Sequence, residues 1–266
     1  LLYLVIADQL DLPLYGVALP NHFFVRYDSG IDQINIESTE LGASYPDSFY
    51  ENRFGAKFNT KTPFFTQNLD KKQSLGAYLS NIGMVYYKKT RLQKSIFYLK
   101  PSTKINPLSI EAHNNLANIY DEMNQQELAI SQYKKALKAD PNNVPTLFNL
   151  AQTFTKLSNT EHAIEYLLQV IQLEPSFTQA RRQLIKIYLK KEKYISALLH
   201  LKQLTKSNPN EIDSRISIGK IYSKLGNFKL AIETLKPISL SSPGNIQARE
   251  ILAEVFYQMG NLDHSI

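Results

Sequence analysis

Cysteine is absent from all 266 residues. No disulfide framework, no thiolate zinc site and no thiol nucleophile can be built from these residues. A reducing, cytoplasmic compartment fits that usage without being required by it. Long apolar runs are also missing. The opening stretch Leu1 to Ala7 is apolar, but Asp8 interrupts it and no basic segment precedes it. That excludes a signal peptide or a membrane span there. There is no initiator Met, and the sequence opens in mid-pattern, so it reads as a fragment whose N-terminus lies upstream. A large excess of either charge is missing too: the net +6 is modest for this length. It permits an acidic partner and does not demand nucleic acid. No Gly-rich phosphate loop, HExxH pair or acidic calcium loop occurs, so no cofactor is expected.

What is present is a period. Pro107, Pro141, Pro175, Pro209 and Pro243 each fall 34 residues after the last. Counting back from each gives units 76–109, 110–143, 144–177, 178–211 and 212–245, with an incomplete sixth over 246–266. The seventh residue of each unit is Ile82, Leu116, Leu150, Leu184, Ile218 and Leu252. The eleventh is Tyr86, Tyr120, Phe154, Tyr188, Tyr222 and Phe256. A spacing of four puts both on one face of a first helix, so these aromatics are expected to be buried. The eighth is small in five units (Gly83, Ala117, Ala151, Gly219 and Ala253), which lets a second helix approach closely. Within that second helix the twentieth residue is Ser95, Ala129, Ala163, Ala197, Ala231 and Ser265, each followed by Ile or Leu.

Asn124, Ser158, Gly226 and Gly260 read as turns between the helices, and each proline closes its unit. Neither helix can bury its apolar stripe alone, so the units must stack. Three departures stand out. Ile185 fills a position that is small elsewhere, which predicts looser or altered pairing in the fourth unit. Pro101 and Pro237 fall late in second helices, which should kink or stop early there. In the sixth unit Leu252, Phe256 and Ile266 lack a following helix and should expose apolar surface.

This period and pattern resemble the tetratricopeptide repeat family, over roughly Leu75 to Ile266. The resemblance implies a right-handed superhelix whose concave groove binds a peptide or a partner protein. The sixth position of the first three units lines that groove in the family, and here it holds Asn81, Asn115 and Asn149, with Asn118 extending the surface. An amide offers both a donor and an acceptor, which suits a peptide backbone regardless of its side chains. Inner-face positions of units four and five hold Arg182, Lys186, Lys190, Lys220 and Lys224, and in unit two Glu111, Asp121 and Glu122. The groove is therefore expected to be acidic early and basic late, and its basic part to favour an acidic segment or a C-terminal carboxylate. Most of the 16 Tyr fall at packing positions, so no nucleic-acid stacking platform is expected.

Residues 1–65 have another texture. Leu1 to Leu10 reads as a helix end, and Leu12 to Ala18 leads into a short strand. HFFVRY (His22 to Tyr27) and IDQINI (Ile31 to Ile36) read as antiparallel strands about a turn at Asp28, Ser29 and Gly30. Pro46 to Phe54, with Gly55 after it, reads as a short helix. The run LLYLVIADQLDLPLYGVALPNHFFVRYD, followed by INIEST, is similar to the later part of a bacterial transglutaminase-like domain. The resemblance implies a Cys–His–acid set, with His22 matching the histidine and Glu37 the acid. In that chemistry a thiolate attacks, the imidazole takes and returns the proton, and the carboxylate fixes the imidazole tautomer. The nucleophile's place would lie just before Leu1, so this stretch alone should be inactive. The other histidines, His113, His162, His200 and His264, show no metal-ligand spacing and read as packing or surface residues, so no metal site is expected.

The fold expected is mainly α: a helical-hairpin superhelix over 76–266, reached through a linker at 66–75. A truncated α/β transglutaminase-like segment over 1–65 precedes it. The function expected is a protein-interaction scaffold. The alternative is a cysteine-dependent acyl transferase or amide hydrolase whose repeats recruit substrate.

Overall fold

Alternating apolar residues produce three strands near the start of the sequence, and a 34-residue rhythm of apolar stripes produces helices thereafter. The computed structural model describes residues 2–19, 22–37, 39–40, 42–54, 68–209, 211–242 and 244–263. Gly55, Pro243, His264, Ser265 and Ile266 lie outside the described residues. By internal packing the protein forms two compact units, Leu1–Leu157 and Ser158–Ile266.

The first unit opens with α1 (Leu2–Gln9), β1 (Leu14–Leu19), β2 (His22–Asp28), β3 (Gln33–Ile36) and α2 (Asp47–Phe54). The strands form an antiparallel sheet in the order β1-β2-β3, with Val17 opposite Phe24 and Val25 opposite Ile36. Val17, Leu19, Phe24 and Tyr50 make its core, so α2 covers one face. Arg26, buried in β2, fixes that cover: its Nε donates to Asn35 Oδ1 and its Nη2 to Asp47 Oδ1, each at 2.7 Å. Gly16 in β1 bridges to Leu69, just before α3 (Lys71–Lys88). A Cβ at Gly16 would lie 2.3 Å from Ser74 Oγ, so only glycine lets this helix sit so close to the sheet. Asp70 caps α3 in a capping box with Gln73.

Next come α4 (Leu92–Ile105), α5 (Ile110–Glu122), α6 (Gln126–Ala139) and α7 (Val144–Lys156). The second unit holds α8 (Thr160–Leu173), α9 (Thr178–Lys190), α10 (Tyr194–Ser207), α11 (Ile212–Lys224), α12 (Phe228–Ser241) and α13 (Ile246–Asp263). Between paired helices, Thr90, Asn124, Ser158, Glu192 and Gly226 all take positive φ, between 54° and 72°. One left-handed residue therefore recurs at each 34-residue step and reverses the backbone. The expected turn at Gly260 does not form. The helical ladder of α13 runs on to Asp263, and no described helix packs back on it there to offset breaking it.

The repeat's packing positions behave as their spacing requires. Leu116, Leu150, Leu184 and Ile218 are buried, as are Tyr120, Phe154 and Tyr188; Tyr86 and Tyr222 are half-buried. Cβ atoms at Gly83 and Gly219 would meet Leu99 and Leu235 at 2.7 and 2.4 Å, so each second helix occupies the space a side chain would need. Ser95 and Ser102 stand in α4 and donate to the carbonyls of Gly83 and Gly76 at 2.7 and 2.8 Å.

Of the expected kink or early stop at Pro101 and Pro237, the early stop is corrected: α4 and α12 run on through them for 14 residues, as α6, α8 and α10 do. Both prolines sit on the exposed side, where water can take the carbonyl that each leaves without a donor. In the sixth unit Phe256 is exposed as expected, at 56%, and Ile266 lies outside the described residues. The expectation for Leu252 is corrected: it turns inward against Ile216, Leu235 and Ile238 and is buried.

Candidate functional site

The sheet brings His22 and Glu37 together. His22 opens β2, and continuing the β2–β3 register by one residue sets Phe24 opposite Glu37. Residues two apart on a strand share a face, so His22 is the diagonal neighbour of Glu37 on that side. The imidazole Nε2 lies 2.7 Å from Glu37 Oε2. Glu37 is buried, and its other oxygen accepts from the Thr39 hydroxyl at 2.7 Å and the Thr39 amide at 3.2 Å. Burial alone would push this carboxyl up. The hydrogen bonds from Thr39 and His22 outweigh it and hold the group below its usual range.

Aromatic rings fix the imidazole from the side. Phe54 of α2 stacks on it with centroids 4.2 Å apart and planes 7° from parallel. Tyr50, one turn earlier, stacks on Phe24 at 4.2 Å and is fully buried. Its hydroxyl meets no hydrogen-bond partner among the described residues, and burial pushes it up to about 12. With Nε2 held by the carboxylate, Nδ1 is the ring atom left to exchange a proton. Thr39, Tyr50 and Phe54 were not read from the sequence as part of this site. A hydroxyl two residues after an acid was the available signal for Thr39.

The amides expected on the inner face divide into two groups. Asn118 Oδ1 accepts from Tyr133 Oη at 2.5 Å and from Asn149 Nδ2 at 3.2 Å, so Asn118 is committed within the fold and Asn149 keeps its carbonyl. Asn115 hydrogen-bonds Glu111, and Asn81 is half-buried on α3. Flanking contacts join α5 to α7: Asn114 with Thr146 at 2.7 Å, and Thr153 with Asp121 at 3.2 Å. The three acids of unit two are each engaged. Asp121 pairs with Lys156, Glu122 takes the Tyr87 hydroxyl, and burial pushes Glu111 up to about 7, with Asn115 opposing.

In the second unit Arg182 pairs with Glu211, and Lys224 lies 3.9 Å from Glu254. Lys186, Lys190 and Lys220 are exposed and meet no carboxylate among the described ion pairs. Lys220 and Lys224 line a cavity of about 380 Å³ with Leu189, Tyr194, Ser217, Ile221 and Gln247. Only the two lysines of that set were expected from the sequence.

Of the remaining histidines, His113 and His200 are packed inside the fold. His113 is buried, its Nε2 3.0 Å from the Pro107 carbonyl. Arg181 occupies the same repeat position and donates to the Pro175 carbonyl at 2.9 Å. His200, beside Arg181 and Tyr188, is held below its ordinary range by burial and then by the guanidinium charge. His162 is exposed at the start of α8, and His264 lies outside the described residues. Among the described residues no three His, Asp or Glu side chains converge on a metal-sized site. No described helix is long and apolar enough to cross a membrane.

Family models of the tetratricopeptide repeat match residues 110–143, 132–165 and 212–236, and that of the transglutaminase-like superfamily matches residues 1–79. Tetratricopeptide repeats build the helical array, behind a transglutaminase-like segment. Solved structures agree on the repeat fold. YrrB, described as a tetratricopeptide repeat protein with an unusual peptide-binding site, matches with a TM-score of 0.56 and 20% identity, over 68% of this protein and 92% of its own length. A tetratricopeptide repeat protein from Parabacteroides merdae gives 0.56 at 20% identity, over 72% of this protein and 75% of that one. MamA gives 0.52 at 21% identity, over 65% and 95%. Comparison with the curated proteins finds no match. The transglutaminase-like match runs into α3, in line with the packing of that helix on β1.

Proposed function

We propose that the tetratricopeptide repeats form a protein-interaction scaffold that holds a peptide segment along its first-helix faces. The observation that carries this reading is the cavity in the second unit, where Lys220 and Lys224 stand beside the apolar Leu189 and Ile221. Ammonium groups next to an apolar floor suit an apolar side chain followed by a carboxylate, as in an acidic segment or at the C-terminus of a peptide. In the first unit Asn81, Asn115 and Asn149 offer amides to a peptide backbone. The peptide-binding site ascribed to YrrB supports the reading by analogy of fold alone.

Fluorescence anisotropy with labelled peptides tests it. Replacing Asn81, Asn115 and Asn149 by Ala should weaken neutral and acidic peptides alike, by roughly fivefold per hydrogen bond lost. Reversing Lys186 and Lys220 to Glu should weaken only acidic peptides, by tenfold or more, and flatten the salt dependence. Binding that survives both sets unchanged removes the site from these faces.

The His22–Glu37 contact favours a second reading. The pair is the imidazole–carboxylate half of a thiol-dependent acyl transferase or amide hydrolase, acting with a Cys from outside these 266 residues. The repeats would then deliver substrate to it. This reading requires the His22 proton on Nε2 and the lone pair on Nδ1. Long-range ¹H–¹⁵N correlation at neutral pH should report that tautomer, and Glu37→Gln should mix the two. A wild-type ring protonated at Nδ1 alone would end the assignment.

A further inference from the structure

Residues 71–110 include eight Lys or Arg and none of the 24 acids, so this stretch holds +8 against a total of +6 for all 266 residues. Positive charge gathers on two helix pairs, α3 with α4 and α9 with α10, where residues 178–210 hold eight Lys or Arg and one acid; in the latter pair Arg181 is buried, and Arg182 and Lys191 are paired with Glu211 and Glu161. On α3, Lys71 is paired with Asp8. At the other end of the α3–α4 pair Lys88, Lys89 and Arg91 crowd the turn, and Lys94, Lys100 and Lys104 follow along α4; all six are exposed. Among the described residues none of the six meets a carboxylate at ion-pair distance.

The arrangement on α4 is ordered. Ser95, Ile96, Leu99 and Ser102 are buried and face the other helices of the unit. At 3.6 residues per turn the opposite arc, about 120° wide, holds Lys94, Phe97, Lys100, Pro101 and Lys104. Phe97 is at its centre and is 71% exposed, and Leu108, just past the helix, is 60% exposed. Lys94 and Lys100 flank Phe97 at about 60° on either side. At the same repeat position the second, third and fifth units carry Ser131, Glu165 and Glu233, and the fourth carries Leu199, 58% exposed. An exposed ring ringed by lysines is not what repeat packing needs.

We propose that this face of α4, with the α3–α4 turn, docks on a membrane surface rich in anionic lipid. Diffuse ammonium charges attract the negative leaflet, and Phe97 and Leu108 enter the interfacial layer while the helix lies in its plane. The chemistry favours lipid over nucleic acid or an acidic protein. Seven of the eight cations are Lys, which act as point charges; only one is Arg, whose planar fork reads phosphates and carboxylates in fixed geometry. Leu108, moreover, has no role against a polyanion, and a single outward ring gives successive bases no stacking platform. The face is one helix side, which suits a plane and gives an extended peptide no groove to lie in.

Co-sedimentation of the full 266-residue protein with vesicles tests the proposal. Phosphatidylcholine vesicles containing about 30% phosphatidylglycerol should bind it, pure phosphatidylcholine should not, and salt should weaken the binding. Changing Lys94, Lys100 and Lys104 to Gln should weaken binding roughly a hundredfold, since each surface lysine is worth about fivefold. Phe97→Ser should weaken it severalfold without altering the salt dependence. Changing Lys134, Lys135 and Lys138 on α6 to Gln removes the same charge elsewhere and should leave binding within about twofold; an equal loss would mean diffuse charge and overturn the α4 face. Circular dichroism confirms that each variant is folded. Failure to bind anionic vesicles, or binding to polyglutamate or RNA at equal charge that exceeds vesicle binding, would also overturn it.

Discussion

The carboxyl of Glu111 lies in the first turn of α5, where a helix N-terminus ordinarily favours negative charge. Burial dominates there and pushes it from 4.5 to about 7, with the Asn115 hydrogen bond opposing. A carboxyl raised on folding binds its proton more tightly in the folded state than in the unfolded one. Stability is then complete below the unfolded value, falls as pH rises between about 4.5 and 7, and is flat above. Once ionised, the group costs the fold up to about 3 kcal/mol, less what solvent at its half-buried rim recovers. Glu111→Gln should therefore melt near the wild type at pH 4.5 and several degrees higher at pH 8, by calorimetry at both. A variant less stable than wild type at pH 8 would show that the charge is satisfied in place. Glu37 behaves oppositely, because its carboxyl is held low and its contribution is lost only as pH falls through the acid range.

At the scale of elements, most of the fold was legible because a few residue types carry unambiguous geometry. Five prolines set the period, and small residues at Gly83, Ala117, Ala151 and Gly219 marked where a second helix would press close. Alternation in HFFVRY pointed to one strand and IDQINI to its partner, while the pairing of His22 with Glu37 was legible only through the resemblance to transglutaminase-like domains. What misled was local propensity set against packing. Pro101 and Pro237 read as breakers because the sequence does not show that both rings face solvent, where a missing donor matters little. Gly260 read as a turn, but a turn there gains its free energy from a helix packing back, and α13 continues instead. Thr90 and Glu192 do not announce the left-handed turns that they occupy; only their 34-residue registration with Gly226 does. Around the candidate sites, Tyr50, Phe54 and Tyr194 were out of reach because they are brought in by elements whose position, not whose composition, matters.

The whole molecule displays apolar surface where a repeat array or a sheet would ordinarily be covered. In the first unit α1 buries Leu4 and Ala7 but leaves Leu2, Val5 and Ile6 exposed, with Leu10 and Leu12 just beyond. In the second unit α13 buries Ala248, Ile251, Leu252 and Val255 and leaves Ile246, Phe256 and Tyr257 exposed. Each is the unoccupied side of a helix whose other side belongs to a core. Exposed apolar side chains grouped on a helix in this way drive association unless something covers them. The modest net charge of +6 arises from α3, α4, α9 and α10 rather than from α1 or α13, so repulsion protects neither face well. Sedimentation velocity should therefore show this 266-residue protein self-associating as concentration rises into the tens of micromolar. Changing Phe256 and Tyr257 to Ser should weaken that association severalfold, and Leu2, Val5 and Ile6 to Ser should do so independently. Neither set should lower the melting temperature, since no buried contact is removed. Salt separates this effect from the basic face of α4: added salt should strengthen apolar self-association and weaken any contact made through lysine. A protein that stays monomeric across that range, with both sets silent, would mean that these faces are too small or too curved to pair.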